Sequence, residues 1–250
     1  MNNNIFYRLN KTTIKKIDLL QSNYLKINLG LEIKAEPGNF FLVSRPGFQE
    51  TVASILFTAD GSSFVFRPTI EFRKNLLDFD HQEILFRGPY GKHWLKNNIE
   101  RKIIIADSLG ILPIIPLVGG EKCSLIYAGE SPNSLLFREL FQNWKKTLKS
   151  FQIIVKNAPS NYKGRIGGLA DILKSFPEKP GRGIVLISLY SGEYKEIIDI
   201  LRKKGISDRQ IFINYFFKIK NHLNGNLIDV FDNINPSFEG PIVNLYDLKE

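Results

Sequence analysis

The sequence predicts two domains: an N-terminal antiparallel Greek-key β-barrel over residues 1–98 and, over residues 99–250, an α/β domain built on a five-stranded parallel sheet. Three observations lead there. As far as Lys96, short apolar segments are interrupted by Gly, Pro, Asn and Asp, the rhythm of an antiparallel barrel. Beyond it, β-branched runs alternate with stretches of helical spacing, an alternation that needs crossover connections and a parallel sheet covered on both faces. A hydrophobic fraction of 43% over 250 residues is enough to bury a sizeable core, which excludes disorder as the main state.

In the first half, strands are expected at Tyr24 to Leu29, Phe40 to Val43, Ala53 to Phe57, Phe64 to Phe66 and Glu83 to Arg87. Glu36-Pro37-Gly38-Asn39, Pro46-Gly47 and Asp60-Gly61-Ser62-Ser63 supply turns between them. In the second half, Arg101 to Ala106 is a β-branched run followed by Gly110 and a short helical stretch, and Cys123 to Ala128 is the next strand. Ser131 or Asn133 is placed to cap a helix on which Phe137, Leu140, Phe141, Trp144 and Leu148 keep helical spacing. Gln152 to Lys156 follows as a strand, Leu169 to Ser175 as a short helix and Gly183 to Leu189 as a strand. Glu193 to Lys204 is a helix with Tyr194, Ile197, Ile198 and Leu201 on one face, stopped by Gly205, and Gln210 to Phe217 is the fifth strand. The Asn-rich segment after Lys220 is expected to be irregular.

Composition narrows the function. One cysteine, Cys123, makes no internal disulfide and cannot supply the four thiolates of an iron-sulfur cluster; it is read as a small buried hydrophobe. The three histidines, His81, His93 and His222, include no i, i+4 pair, so no metal site is assigned. Lys and Arg outnumber Asp and Glu by 34 to 25, but the basic residues are scattered, which favours a solvated surface over a nucleic-acid partner. The first residues carry no continuous apolar stretch of a secretory signal, and the longest apolar run, Ile111 to Val118, contains Pro113 and Pro116; a cytoplasmic protein without a membrane span is expected.

Several local words, in order along the chain, resemble those of the ferredoxin reductase superfamily. Pro37-Gly38-Asn39-Phe40 resembles its Pro-Gly-Gln-Phe strand, and Arg87-Gly88-Pro89-Tyr90-Gly91 its Gly-Pro-x-Gly turn at the barrel exit. Ser108-Leu109-Gly110-Ile111-Leu112-Pro113 resembles the Gly-x-Gly-Ile-Ala-Pro loop into the α/β half, Tyr127-Ala128-Gly129 the strand end that follows, and Gly164 to Leu173 the glycine-rich turn into a helix. In that superfamily the barrel holds FAD and the α/β half NAD(P). Arg45-Pro46-Gly47 is similar to a Val-Pro-Gly step in the electron-transfer subunit of dihydroorotate dehydrogenase, which passes electrons between NAD(H) and an FMN-bearing catalytic subunit through its own FAD and a two-iron cluster.

The departures from that pattern carry as much information. Where the family has Arg-x-x-Ser against the FAD pyrophosphate, the chain has Thr51-Val52-Ala53-Ser54, so the guanidinium and its charge-assisted phosphate contact are gone. Pro68, within Phe64 to Thr69, has no N–H to offer a phosphate, and Arg67 is the remaining cation there. Asp107 stands at the loop position where close approach to a pyrophosphate favours glycine. Leu189-Tyr190-Ser191-Gly192 replaces the family's Cys-Gly-Pro word beside the nicotinamide, and the cluster cysteines expected after Ile213 are absent.

The resemblance therefore implies weak or vestigial cofactor contacts at Ser54, at Gly88, Pro89, Tyr90 and Gly91, and at Gly110, with no catalytic residue and no metal ligand. Tyr90 or Trp94 offers a ring for stacking, though core aromatics at a domain junction are the simpler reading; His93 is read as a surface residue and Ser191-Gly192 as a helix cap. The function expected is that of an accessory, electron-transfer-type subunit in a hetero-oligomer with an FMN-containing dihydroorotate dehydrogenase catalytic subunit, in pyrimidine synthesis. No cofactor is firmly assigned to this chain; FAD is the candidate, and FMN belongs to the partner. The alternatives are a self-sufficient FAD-dependent NAD(P)H oxidoreductase and a basic nucleic-acid-binding protein.

Overall fold

The computed structural model describes residues 8–58, 61–77, 83–91, 94, 101–190, 193–214 and 242–245. His81, His93, His222, the Ser191-Gly192 step and most of the chain after Asn214 lie outside the described residues.

The first half forms one antiparallel sheet from β1 (Asn10–Thr13), β2 (Lys16–Leu19), β3 (Leu25–Asn28), β4 (Phe40–Ser44), β5 (Thr51–Thr58), β6 (Gly61–Phe66) and β7 (Glu83–Tyr90). Its strand order is β1-β7-β4-β5-β6-β3-β2. The first and last strands of that order are separated in sequence by only Ile14 and Lys15, and a chain spans at most ~3.3–3.6 Å per residue. The sheet must therefore curl until its two edges approach each other, giving a half-barrel. Alternation fixes the two faces. Phe41, Val43, Ala53, Ile55, Phe64, Phe66, Ile84 and Phe86 point into the barrel, where Phe72 and Leu76 of α1 (Ile70–Leu77) complete the core. Aromatic packing dominates it, with Phe41 and Phe64 ring centres 5.1 Å apart and Phe66 and Phe72 edge-on at 5.7 Å.

The second half forms a sheet of β8 (Lys102–Asp107), β9 (Cys123–Gly129), β10 (Ser150–Val155), β11 (Arg165–Ile166), β12 (Ile184–Ser188), β13 (Ile211–Asn214) and β14 (Ile242–Asn244), in the order β11-β10-β9-β8-β12-β13-β14. The first six strands of that order run parallel and β14 runs antiparallel to β13. One face is covered by α3 (Leu169–Ser175) and α4 (Tyr194–Lys203), whose Ile172, Leu173, Ile197 and Leu201 pack on Ile103, Ile105, Val185 and Ile187. On the other face Ile104, Leu125, Tyr127 and Leu186 meet Trp144 of α2 (Phe141–Thr147), and this core continues into the barrel lobe through Leu56, Val65 and Trp94. Trp94 fastens the junction: its N–H donates to the Pro37 carbonyl at 2.9 Å and its Nε1–H to the Pro113 carbonyl at 3.0 Å.

Several expectations need correction in detail. The parallel sheet has six strands, not five, because the two-residue β11 adds an edge. Asp60 to Ser63 is not all turn; Gly61 to Ser63 begin β6, and the Ser62 hydroxyl accepts the Ile33 N–H at 2.8 Å. The long helix expected from Ser131 is broken into single 3-10 turns at Pro132–Ser134 and Arg138–Leu140 before α2 starts. The buried Tyr127 hydroxyl is the reason: it accepts the Leu136 N–H at 2.9 Å and so removes that donor from any helical ladder. Among the described residues no helix is long and apolar enough to cross a membrane.

Candidate functional site

In a parallel α/β sheet, ligands bind beyond the carboxyl ends of the strands, where the strand order reverses. Here the chain goes from β8 outward to β9 and β10, while β12 and β13 lie on the other side of β8. A cleft of about 430 Å³ opens at this switch point. The loops after β8, β9, β10 and β12 supply Asp107, Glu130, Lys156, Tyr190 and Glu193, and the barrel lobe supplies Tyr24 and Arg67.

The charged groups in the cleft are largely turned on one another. Lys156 Nζ lies 2.7 Å from Glu193 Oε1 and 3.9 Å from Glu130 Oε2, and the Glu193 hydrogen bond holds the ammonium above its ordinary range. Burial of the Tyr24 phenol is the largest influence on it and raises its pKa; the positive charge of Arg67 opposes that rise and the charge of Asp107 adds to it. Asp107 accepts the Gly110 N–H at Oδ1 (2.7 Å) and the Tyr190 N–H at Oδ2 (2.6 Å). Two cations face three carboxylates, so the lining is one charge negative. The neutral polar groups are similarly engaged: Ser108 Oγ donates to Ser134 Oγ at 3.2 Å.

The cofactor contacts expected at Ser54, Gly88, Pro89, Tyr90, Gly91 and Gly110 are not among the residues that line this cleft. Ser54 lies on the outer face of the barrel, in a cross-strand row that runs Tyr90, Phe40, Ser54, Val65 through β7, β4, β5 and β6. It is 0% exposed, and its hydroxyl has no hydrogen-bond partner among the described residues. Tyr90 packs against Phe40 with ring centres 5.5 Å apart, and Gly88 and Pro89 lie within β7. Gly88 takes a positive φ against the Phe41 ring, where a Cβ would come within 2.8 Å. The Gly91 carbonyl accepts from Asn39 Nδ2 at 2.8 Å. Gly110 is a close-approach glycine: a Cβ there would stand 1.7 Å from the Ser188 carbonyl oxygen of β12.

Among the described residues, several donors that a dinucleotide would use are engaged within the protein. For FAD, the Ser54 hydroxyl is an orphaned polar atom flanked across the sheet by Phe40 and Val65, and the Arg87 and Arg45 guanidinium groups of the barrel lobe are engaged with other residues. Arg87 forms a two-pronged ion pair with Glu50, and Arg45 Nη1 donates to the Asn75 carbonyl at 2.9 Å. For NAD(P), two N–H groups at the switch point, those of Gly110 and Tyr190, already serve the Asp107 carboxylate. Of the cleft residues, Arg67, Asp107 and Tyr190 stand among the departures from the family pattern, and Ser108, Leu109, Ala128, Gly129, Gly167 and Leu169 within its words; Tyr24, Glu130, Lys156 and Glu193 come from separate elements with no common spacing to betray them.

No family model matches the chain, and no curated protein matches it. Solved structures do share its architecture. The CS-b5R domains of human Ncb5or in the NAD+ form align with a TM-score of 0.67 at 13% identity, over 82% of this chain and 69% of that one. The cytochrome b5 reductase domain of Ulva prolifera nitrate reductase gives 0.63 at 17% identity, over 83% of this chain and 97% of that one. The flavohem-like FAD/NAD binding domain of nitric oxide dioxygenase from Vibrio cholerae gives 0.63 at 10% identity, over 81% and 96%. The chain thus has the ferredoxin reductase-like fold, a curled antiparallel sheet followed by a parallel α/β sheet.

Proposed function

We propose that the chain is an accessory subunit of the electron-transfer type that pairs with an FMN-bearing dihydroorotate dehydrogenase catalytic subunit, and that it works through contact with that partner and not through a flavin of its own. The observation that carries this reading is the closed outer face of the barrel. The row Tyr90, Phe40, Ser54, Val65 places the one serine kept from the flavin word under side chains that are at most 5% exposed. A reductase scaffold so filled is suited to covering and stabilising a flavoprotein or shaping access to its FMN. Apolar side chains left in solvent on the barrel lobe, Phe57, Leu31 and Ile70, supply contact area of the kind an interface buries. The Arg45-Pro46-Gly47 step is what points to this subunit family in particular.

Co-expression with an FMN-containing dihydroorotate dehydrogenase tests the reading. A stable complex is expected whose flavin, released by denaturation, is FMN alone. Recovery of the chain as a monomer with no affinity for that protein would overturn it. So would a chain purified yellow with stoichiometric FAD that oxidises NAD(P)H, the behaviour of a self-sufficient reductase.

A further inference from the structure

We propose that the Asp107 carboxylate is a built-in anion that occupies the phosphate-binding position of the switch-point cleft, so that the chain excludes dinucleotides by filling their seat from within. Two backbone N–H groups from different parts of the sheet converge on it. Gly110 N–H comes from the loop after β8, Tyr190 N–H from the end of β12, and both reach one carboxylate at 2.7 and 2.6 Å. Convergent backbone donors of this kind form an anion-binding concavity, and a carboxylate held by two of them makes the strong, charge-assisted type of hydrogen bond.

Two further N–H groups of the loop are taken up within it. Ile111 N–H goes to the Asp107 carbonyl at 3.1 Å and Leu112 N–H to the Leu109 carbonyl at 3.1 Å. Gly110 cannot shift to open a second seat on the β12 side, since the Ser188 carbonyl stands where its Cβ would be. The surrounding charge acts in the same sense: Lys156 is held by Glu193 with Glu130 nearby, and those carboxylates would repel an incoming diphosphate. An incoming phosphate must therefore displace a tethered carboxylate whose effective concentration is high, and must do so in a cleft that is already negative.

The inference concerns the isolated chain and stands apart from the partner proposed above. Its test is calorimetric titration of the full chain with inorganic pyrophosphate and with NADH, comparing wild type, Asp107→Ala and Asp107→Asn. Removing the carboxylate frees both donors, so Asp107→Ala is expected to bind pyrophosphate at least tenfold more tightly than wild type, with an affinity that falls as salt is raised. Asp107→Asn keeps the size of the side chain and one acceptor; it should change in the same direction and decides the matter if the alanine variant does not fold. Wild type that binds pyrophosphate or NADH as tightly as the variants would overturn the proposal. A folded variant, with a cooperative melt, that gains less than threefold would overturn it as well.

Discussion

Tyr127 shows how one buried hydroxyl sets the path of a whole connection. Its oxygen accepts the Leu136 N–H, and the ring packs edge-on to Phe141 and Trp144 at 6.0 and 6.5 Å. Tyr127→Phe keeps the ring and orphans a buried donor, so a loss of ~1–3 kcal/mol is expected, read as a lower denaturant midpoint at unchanged slope. Burial also raises the phenol pKa of Tyr127 and Tyr24 above the ordinary 10.0. The folded chain keeps both protons where the unfolded chain releases them. Their contribution to stability is therefore intact below about pH 10 and is lost as pH climbs past it, and the alkaline fall should be shallower in Tyr127→Phe than in wild type. Ser54 gives the opposite kind of prediction. A buried hydroxyl without a partner costs free energy, so Ser54→Ala should leave the melting temperature unchanged or raise it by the equivalent of up to ~1 kcal/mol; a clear drop would mean the hydroxyl has a partner.

At the level of elements, the loop after β8 is built around a glycine with no room for a side chain. Gly110→Ala forces the loop away from β12 and should cost ~1–3 kcal/mol or prevent folding, measured by thermal melts alongside wild type. Strongly patterned elements were the legible ones: α3 was expected at Leu169 to Ser175 and lies there, and the Ile-rich strands fall within a residue or two of their expected ends. Elements made at an edge were not. β1 and β2 read Asn-Lys-Thr-Thr and Lys-Ile-Asp-Leu, half-exposed strands without an apolar run, and β11 is too short to show any period. α1 is hidden in the sequence because Pro68 reads as a breaker, whereas the helix begins just after it, with the Thr69 hydroxyl accepting the Phe72 N–H at 3.2 Å. The cleft is legible through the loop words that line it and through Asp107, an acid where the family pattern has glycine. That its two oxygens would collect N–H groups 80 residues apart in sequence is a property of the sheet, and no local word encodes it.

Across the whole molecule, the two sheets share a core through Trp94, which is 2% exposed and bonded to carbonyls of both halves. A shared core couples their unfolding, so calorimetry should show one transition for the wild type. Trp94→Ala removes ~3–5 kcal/mol of packing from that seam and should separate the trace into two transitions; a single sharp transition in the variant would show that the coupling runs elsewhere. The edges of the two sheets have a consequence for assembly. Among the described residues the outermost strands of both sheets are short, four residues each in the first and two and three in the second, so the edges they show offer only short rows of amides to a neighbour. Strand addition from another polypeptide, and the fibre growth it can seed, finds little to pair with along those edges, which leaves side-chain contact as the stronger grip there.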